Sequence, residues 1–322
     1  GKPRKILMSK NKVQFQKGLS LTDFLKDYGS EEQCFDALVN LRWSNGFECP
    51  KCKGKAHCCL KSQRPLFQCN ACNSQTSITA GTIYHSTKLP LTKWFLAMYL
   101  MTQSKNGISQ LALARQLGVS SNTGAMIYHK LAQTMLERDM DKPLSHTVEI
   151  DDAYWGGKKK GKRGRGSKNK TPFIAAIEKN EAGKPQLIKL HVVNGFKKRE
   201  LKQWAEKNLQ AGTAVISDGL SCFRGIQEAG YEHKVCIVSN SRNPEKTSPF
   251  NWVNTILGNL KTALAGTFHK LSSSHLPRHL AIFQYRFNRR FVLGDMIKRL
   301  VFVTLRTLPM PGRLLKLTES HW

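Results

Sequence analysis

A chain of 322 residues carrying 51 Lys plus Arg against 22 Asp plus Glu has a formal net charge of +29, which calls for a polyanionic partner, nucleic acid before an acidic membrane surface. Hydrophobic content of 40% excludes a disordered basic tail and suffices for about two or three domains with a sizeable core. The longest strongly apolar run, Trp94 to Met101, falls far short of the ~20 residues that span a bilayer, and the basic start lacks the apolar stretch of a secretory signal.

Residues 1–18 are basic and aperiodic and read as a flexible arm. Residues 19–46 form a helical segment: Leu21, Phe24 and Leu25, then Cys34, Phe35, Leu38 and Leu41, recur at helical spacing, with Ser20 and Ser30 as N-caps and Gly29 as the break. A Cys-rich unit follows over 47–90. Helical periodicity then runs through 91–141, interrupted at Asn106-Gly107 and at Gly118. Beyond Asp141-Lys142-Pro143 the pattern changes to strands near 146–154, 173–178 and 186–193 and a helix near 198–209. A strand over 214–218, a helix near 220–229, a strand over 234–238 and a helix over 251–265 complete it. This order, over 142–290, is the one expected of a ribonuclease-H-like α/β sheet. Residues 156–170, with eight Lys or Arg and five Gly, read as a basic hairpin tip, and 291–322 as a C-terminal tail.

Nine cysteines without an export signal point to a reducing compartment, where close Cys pairs mean metal before disulfides. Cys49-Pro-Lys-Cys52 and Cys69-Asn-Ala-Cys72, separated by sixteen residues, place four thiolates where they can close a tetrahedral structural zinc site. His57, Cys58 and Cys59 lie between the pairs and are read as packing or exposed residues. Cys34, Cys222 and Cys236 are read as small buried ones. Lys55, Lys61 and Arg64 beside the ribbon favour DNA contact.

Residues 108–131 read as helix, turn, helix. Ser109 caps the first helix, Leu111, Ala114 and Leu117 form its inner face, Gly118 makes the turn, and Ser120 or Ser121 caps the second. Ser121, Asn122, Thr123 and Lys130, read as exposed, suit groove and phosphate contacts, although Gly124 weakens the helix that carries them. The bland alternative is a plain helical hairpin. Lys158, Lys159, Lys160, Lys162, Arg163 and Arg165 of the basic hairpin are further DNA-contact candidates. So are Arg286, Arg289 and Arg290 of the run Tyr-Arg-Phe-Asn-Arg-Arg-Phe, which equally suits an amphipathic helix with Arg outward.

Asp151 and Asp218 each close an apolar, strand-like run, and acids at the ends of neighbouring strands can share one or two Mg²⁺ or Mn²⁺ ions. Asp218-Gly219 could instead be a simple turn and Asp151-Asp152 a strand end. No third acid follows in the usual place. Asn254 and Lys261, seven residues apart, share one helix face, so an Asn carbonyl can ligate metal while Lys261 holds a phosphate. Glu245 is an alternative third ligand. By strand alternation Asp152 is expected to face away from Asp151, and Glu149 to lie on the same face and assist.

The runs G-F-E-C-P-K-C, V-E-I-D-D-A-Y-W-G-G-K, I-S-D-G, W-V-N-T-I-L-G-N-L-K-T-A-L-A-G-T-F-H and F-Q-Y-R-F-N-R-R-F together resemble bacterial insertion-sequence transposases. The subgroup in question joins an N-terminal zinc ribbon to an integrase-type catalytic domain with an Asp-Asp-Asn-Lys signature, and the likeness covers roughly residues 15–320. It implies that Asp151, Asp218 and Asn254 hold catalytic Mg²⁺ or Mn²⁺, that Lys261 is catalytic, and that zinc is structural. The implied partner is double-stranded DNA, both the element's terminal inverted repeats and the target, with 3′-hydroxyl ends transferred by a homodimer or larger assembly. The implied setting is the bacterial cytoplasm, at the nucleoid. A catalytically silent or regulatory DNA-binding derivative is the alternative.

Overall fold

In the computed structural model, residues 18–60, 65–156, 170–236, 251–268 and 271–320 are described. The arm at 1–17, Lys61, Arg64, Glu245 and the hairpin cations Lys158, Lys159, Lys160, Lys162, Arg163 and Arg165 lie outside them.

Local capping signals place the first helices where the periodicity predicts them. α1 (Leu21–Tyr28) starts at Ser20, whose hydroxyl accepts from the Asp23 N–H, and ends at Gly29. A full capping box of Ser30 and Gln33 opens α2 (Glu31–Arg42). Three short antiparallel strands follow, β1 (His57–Leu60), β2 (Leu66–Cys69) and β3 (Gln75–Ser77), in the order β1-β2-β3. Phe47 and Phe67 pack beneath them with Phe35, Val39 and Trp43, so the ribbon's small core is largely aromatic.

α3 (Leu91–Gln103), α4 (Gln110–Leu117) and α5 (Ser121–Met140) come next. The start of α3 is capped from another helix: the exposed Glu31 carboxylate of α2 accepts from the Leu91 and Thr92 N–H groups at 2.8 and 3.2 Å. Gly118, at φ +61°, ends α4, and the Ser120 hydroxyl caps α5. A Cβ on Gly124 would fall 2.5 Å from the Ala114 Cβ, so this glycine permits the close approach of α4 and α5 that outweighs its low helix propensity. The inner face of α4 is Leu113, Ala114 and Leu117. Leu111, expected there, is 51% exposed, because the helix turns it one step past the contact stripe.

A five-stranded sheet follows in the order β6-β5-β4-β7-β8, built from β4 (Thr147–Trp155), β5 (Thr171–Lys179), β6 (Pro185–Val192), β7 (Ala214–Ser217) and β8 (Glu232–Val235). The first three pair antiparallel, while β4 with β7 and β7 with β8 pair parallel. That is the ribonuclease-H-like arrangement expected from the order of elements. Two faces of this sheet are covered. On one, α6 (Lys198–Asn208) and α7 (Arg224–Glu228) bury Leu201, Trp204, Phe223 and Ile226 against Val148, Ile150 and Val215. On the other, α8 (Asn251–Thr267) and α9 (Leu276–Asn288) bury Val253, Ile256, Leu260 and Leu280 against Phe173, Ala175 and Ile188.

The segment expected as a tail is helical instead. α10 (Met296–Thr304) inserts Met296, Ile297, Leu300 and Val301 into the core built by the first five helices, and α11 (Gly312–Ser320) follows. The apolar spacing of Met296, Ile297, Leu300 and Val301 carried that signal. Tyr84 and Thr304 hydroxyls, 2.6 Å apart in the interior, pin α10 to the N-terminal half. Among the described residues no helix is long and apolar enough to cross a membrane.

Candidate functional site

Parallel pairing of β4 with β7 brings the two expected acids together. Val148 lies opposite Val215 and Glu149 opposite Ile216, and the same register carried two residues further sets Asp151 beside Asp218. Oxygens of Asp151, Asp152 and Asp218 all lie within 4.8 Å of one another. Two expectations need correcting. Asp151 does not close its strand, since β4 runs on to Trp155. Nor does Asp152 keep away from Asp151: alternation does assign Ile150 and Ala153 to opposite cores, but β7 stops at Ser217, and past that point carboxylates from both faces of β4 can meet at its open edge. The Asp152 N–H also donates to Asp151 Oδ1 at 2.8 Å.

Asp218 itself is exposed and sits in a tight turn. Its Oδ1 accepts from the Leu220 N–H at 3.0 Å, and Gly219 adopts φ +88°. Beneath it, the buried Ser217 hydroxyl meets His233 Nε2 at 2.7 Å and accepts from the Gly219 N–H at 3.2 Å. Burial lowers the pKa of His233.

Glu149 takes a role that sequence reasoning missed. It is 1% exposed; one oxygen meets Lys179 Nζ at 3.1 Å and the other accepts from the Val253 N–H at 3.1 Å. The carboxylate therefore satisfies an orphan donor in the first turn of α8 and binds that helix to the strand of Asp151. Asn254, the next residue, is exposed, as is Lys261, while Val253, Ile256, Leu257 and Leu260 face the sheet. The oxygen-only donor set of Asp151, Asp152 and Asp218 fits a hard divalent cation such as Mg²⁺ or Mn²⁺.

The four expected cysteines also converge, with their sulfurs within 4.8 Å of one another. Cys49 and Cys72 sulfurs are 3.7 Å apart and those of Cys52 and Cys69 3.5 Å, close to the ~3.8 Å edge of a tetrahedron with 2.3 Å zinc–sulfur bonds. Both knuckles repeat one backbone fold. The Lys53 N–H returns to the Cys49 carbonyl and the Asn73 N–H to the Cys69 carbonyl, each at 2.9 Å, and Lys53 and Asn73 both take positive φ. A Cβ on Gly54 would approach the Cys69 and Cys52 sulfurs at 3.2 and 3.3 Å, so backbone lies directly against the cluster. The Cys52 backbone N–H leads the effects that draw the Cys49 thiol down to about 6, which favours the thiolate a metal needs. Zinc fits this set. His57 packs at a tilt against Phe47, and Cys58 and Cys59 are exposed outside it. Cys34 and Cys222 are buried as expected, whereas Cys236 is only half-buried.

Several expected DNA contacts are placed differently. Ser121 and Asn122 are exposed and Thr123 half-buried at the start of α5. Lys130 is not exposed: its ammonium donates to the Ile83 carbonyl at 3.3 Å and lies over the Trp94 ring, and burial lowers its pKa. The three arginines of α9 and its end are likewise turned to the protein. Arg286 donates to the Ser104 carbonyl and its guanidinium packs on Gly107, with burial bringing it down to about 10. Arg289 pairs with Asp139 at 2.8 Å and stacks on Tyr285. Arg290 donates to the Pro185, Gln186 and Phe287 carbonyls. Backbone carbonyls hold Lys130, Arg286 and Arg290, and a carboxylate holds Arg289, so these long side chains turn inward. Tyr285 is fully buried and Phe291 39% exposed, which matches the amphipathic-helix alternative for Tyr285 only.

Two segments match known families: residues 29–75 a transposase zinc-ribbon domain, and residues 143–288 an ISXO2-like transposase domain. A protein of Halobacterium salinarum described as an uncharacterized protein in transposable element ISH50 is 31% identical over 223 residues, covering 63% of this chain and 72% of its own. Among solved structures, the Mos1 transposase paired-end complex with left transposon end aligns over 66% of this chain and 79% of its own, at 12% identity and a TM-score of 0.26.

Proposed function

The chain belongs to the insertion-sequence transposases that pair a transposase zinc ribbon with an ISXO2-like transposase domain, and from that footing we propose that it cuts DNA at the ends of its own element and joins the 3′-hydroxyl ends to target DNA. The observation that carries the reading is the meeting of Asp151, Asp152 and Asp218 oxygens within 4.8 Å in a chain of net charge +29. Acids clustered on a basic, DNA-seeking protein repel the substrate unless a cation stands between them.

In this reading Asp151, Asp218 and the Asn254 carboxamide hold Mg²⁺ or Mn²⁺, with Asp152 beside them. The ions, when bound, polarise the scissile phosphate and activate the attacking water or 3′-hydroxyl. Lys261, two turns along α8 from Asn254, holds a phosphate of the same strand. Glu149 fixes α8 against β4, so the register of Asn254 to Asp151 does not drift. α4 and α5 act as a helix-turn-helix, with exposed Ser121 and Asn122 at the groove and Thr123 at its rim. The ribbon's four cysteines hold structural zinc and its exposed Lys55 faces DNA. The protein works as a homodimer or larger assembly on paired ends.

The test is incubation of double-stranded DNA bearing the element's end with Mg²⁺, scoring nicked and joined products separately, for the wild type and Asp218→Ala. The expected result is both products from the wild type, none from the variant, and equal end binding by both. Cleavage by Asp218→Ala would overturn the site. Asn254 in place of an acid is the one observation favouring a silent DNA-binding derivative, and a wild type that binds ends without nicking them would establish that second reading.

A further inference from the structure

The connection from β6 into α6 is an ordered basic corner whose cations take no part in the groups described above. Lys197, Lys198 and Arg199 are consecutive and exposed. Their backbone is firmly held. The Glu200 carboxylate accepts from the Asn194 and Gly195 N–H groups, both at 3.1 Å, and α7 is pressed so close that a Cβ on Gly225 would fall 2.2 Å from the Lys198 carbonyl. Leu201 and Trp204 anchor the helix that follows in the core.

Topology fixes where this corner lies. β5 runs antiparallel to both β4 and β6, so β6 delivers the chain to the end of the sheet toward which β4 carries Asp151, Asp152 and Tyr154. The Phe196 ring meets the Tyr154 ring at 5.4 Å, edge to face. Tyr154 shares its face of β4 with Asp152, two residues before it, which places the corner on the Asp152 side. α8, with Asn254 and Lys261, covers the opposite face. The corner and α8 thus lie on opposite faces of the sheet, with Asp151 and Asp152 of β4 between them. Lys198 also pairs with Glu228 at 3.6 Å, both groups about half exposed, a contact weak enough to exchange for phosphate.

Resting on the transposase reading, we infer that Lys197, Lys198 and Arg199 form a phosphate-backbone clamp for the DNA strand flanking the scissile position. The ligand class is the sugar–phosphate backbone of double-stranded DNA, gripped without regard to sequence. A fixed backbone under three cations lowers the ordering cost of binding, which distinguishes this corner from lysines merely scattered over a basic surface.

The experiment compares two triple variants of equal charge loss. One removes the corner (Lys197→Ala, Lys198→Ala, Arg199→Ala). The other removes exposed cations from the opposite end of the sheet (Lys142→Ala, Lys184→Ala, Lys207→Ala). Fluorescence anisotropy with a labelled element-end duplex is titrated across salt, with melting temperatures as a folding control. Each lost phosphate contact flattens the slope of log K against log salt by ~0.9, so the corner triple should flatten it by about 2 to 3 and weaken binding at least tenfold at physiological salt. The far-end triple should keep the wild-type slope. Equal slopes in the two triples, or a corner triple that binds like the wild type, would overturn the clamp alone. A wild type that binds no duplex would overturn the transposase reading and the clamp with it.

Discussion

The two side-chain clusters that can hold metal differ in how the chain builds them. The Cys49–Cys72 cluster is assembled by two copies of one tight turn, buried at two of its four sulfurs and closed by protein on every side that a tetrahedral ion needs. The Asp151–Asp218 cluster joins residues 67 apart through sheet register, and leaves Asp218 exposed to whatever approaches. A closed site with no open position can only hold structure, whereas an open one with hard oxygen ligands can do chemistry. Metal should therefore be part of the fold at the first and a visitor at the second.

The largest effect expected is the one that breaks this contrast most directly. The protein should carry one zinc per chain by atomic absorption, and a strong chelator, or Cys69→Ser, should unfold the ribbon. Apparent binding energies of structural zinc are about 10 kcal/mol or more, far above what the few buried aromatics of this unit provide. Hydrogen exchange should then become fast over 47–77 and stay slow over 147–155. Removing Mg²⁺ should leave both segments unchanged. A sheet that loosens together with the ribbon would show that the two sites are not independent.

A smaller effect is expected from the buried carboxylate that joins the sheet to α8. Glu149→Ala strands Lys179, 15% exposed, without its ion pair and leaves the Val253 N–H without an acceptor, at a cost of about 3 to 5 kcal/mol in urea unfolding. Glu149→Gln keeps an oxygen for Val253 and should recover part of that stability. If the carboxylate acts as the positioning residue for Asn254, Glu149→Ala should also raise the Mg²⁺ concentration needed for half-maximal cleavage while leaving end binding unchanged. Equal Mg²⁺ demand in the two variants would reduce Glu149 to a purely structural role.

How far each cluster could be read from the chain follows the same division. Cys49, Cys52, Cys69 and Cys72 announce themselves because a C-x-x-C turn is local chemistry, and Ser20, Ser30, Ser109 and Ser120 mark helix starts for the same reason. Asp151 and Asp218 are visible as polar residues in or just after apolar strands, but their meeting depends on pairing β4 with β7, which no local pattern encodes. Asp152 meets Asp151 against the alternation rule because that rule describes a continuous sheet, and β7 ends partway along β4; Glu149 keeps the face expected of it, but its partners Lys179 and Val253 are distant in sequence. Lys130, Arg286, Arg289 and Arg290 look like DNA contacts in the sequence because a basic chain offers no local sign of which cations are occupied. Arg286 finds the Ser104 carbonyl 182 residues away, and Arg290 finds that of Gln186 104 residues away. The spacing of Asn254 to Lys261 puts both on one helix face, but the assignment of Asn254 as third ligand comes from the resemblance.

The smallest effect separates the clusters through one glycine each. Gly54 lies against sulfur, where an added methyl meets atoms that a bound ion would hold in place. Gly219 instead supports the Asp218 turn by its backbone, at φ +88°, and among the described residues a Cβ would crowd within 3 Å one atom, a methyl of the Val235 side chain. Val235 is 48% exposed and can swing aside, so the cost of Gly219→Ala should be conformational, about 1 to 2 kcal/mol for an L-residue in the left-handed region. Gly219→Asn tests that cause, since Asn tolerates this region far better while being bulkier than Ala. Thermal unfolding should rank glycine above asparagine above alanine, and Mg²⁺-dependent nicking should follow the same order as the Asp218 turn is disturbed. If asparagine proves worse than alanine, crowding at Val235 governs the turn. The open cluster would then be packed more like the closed one than its exposure suggests.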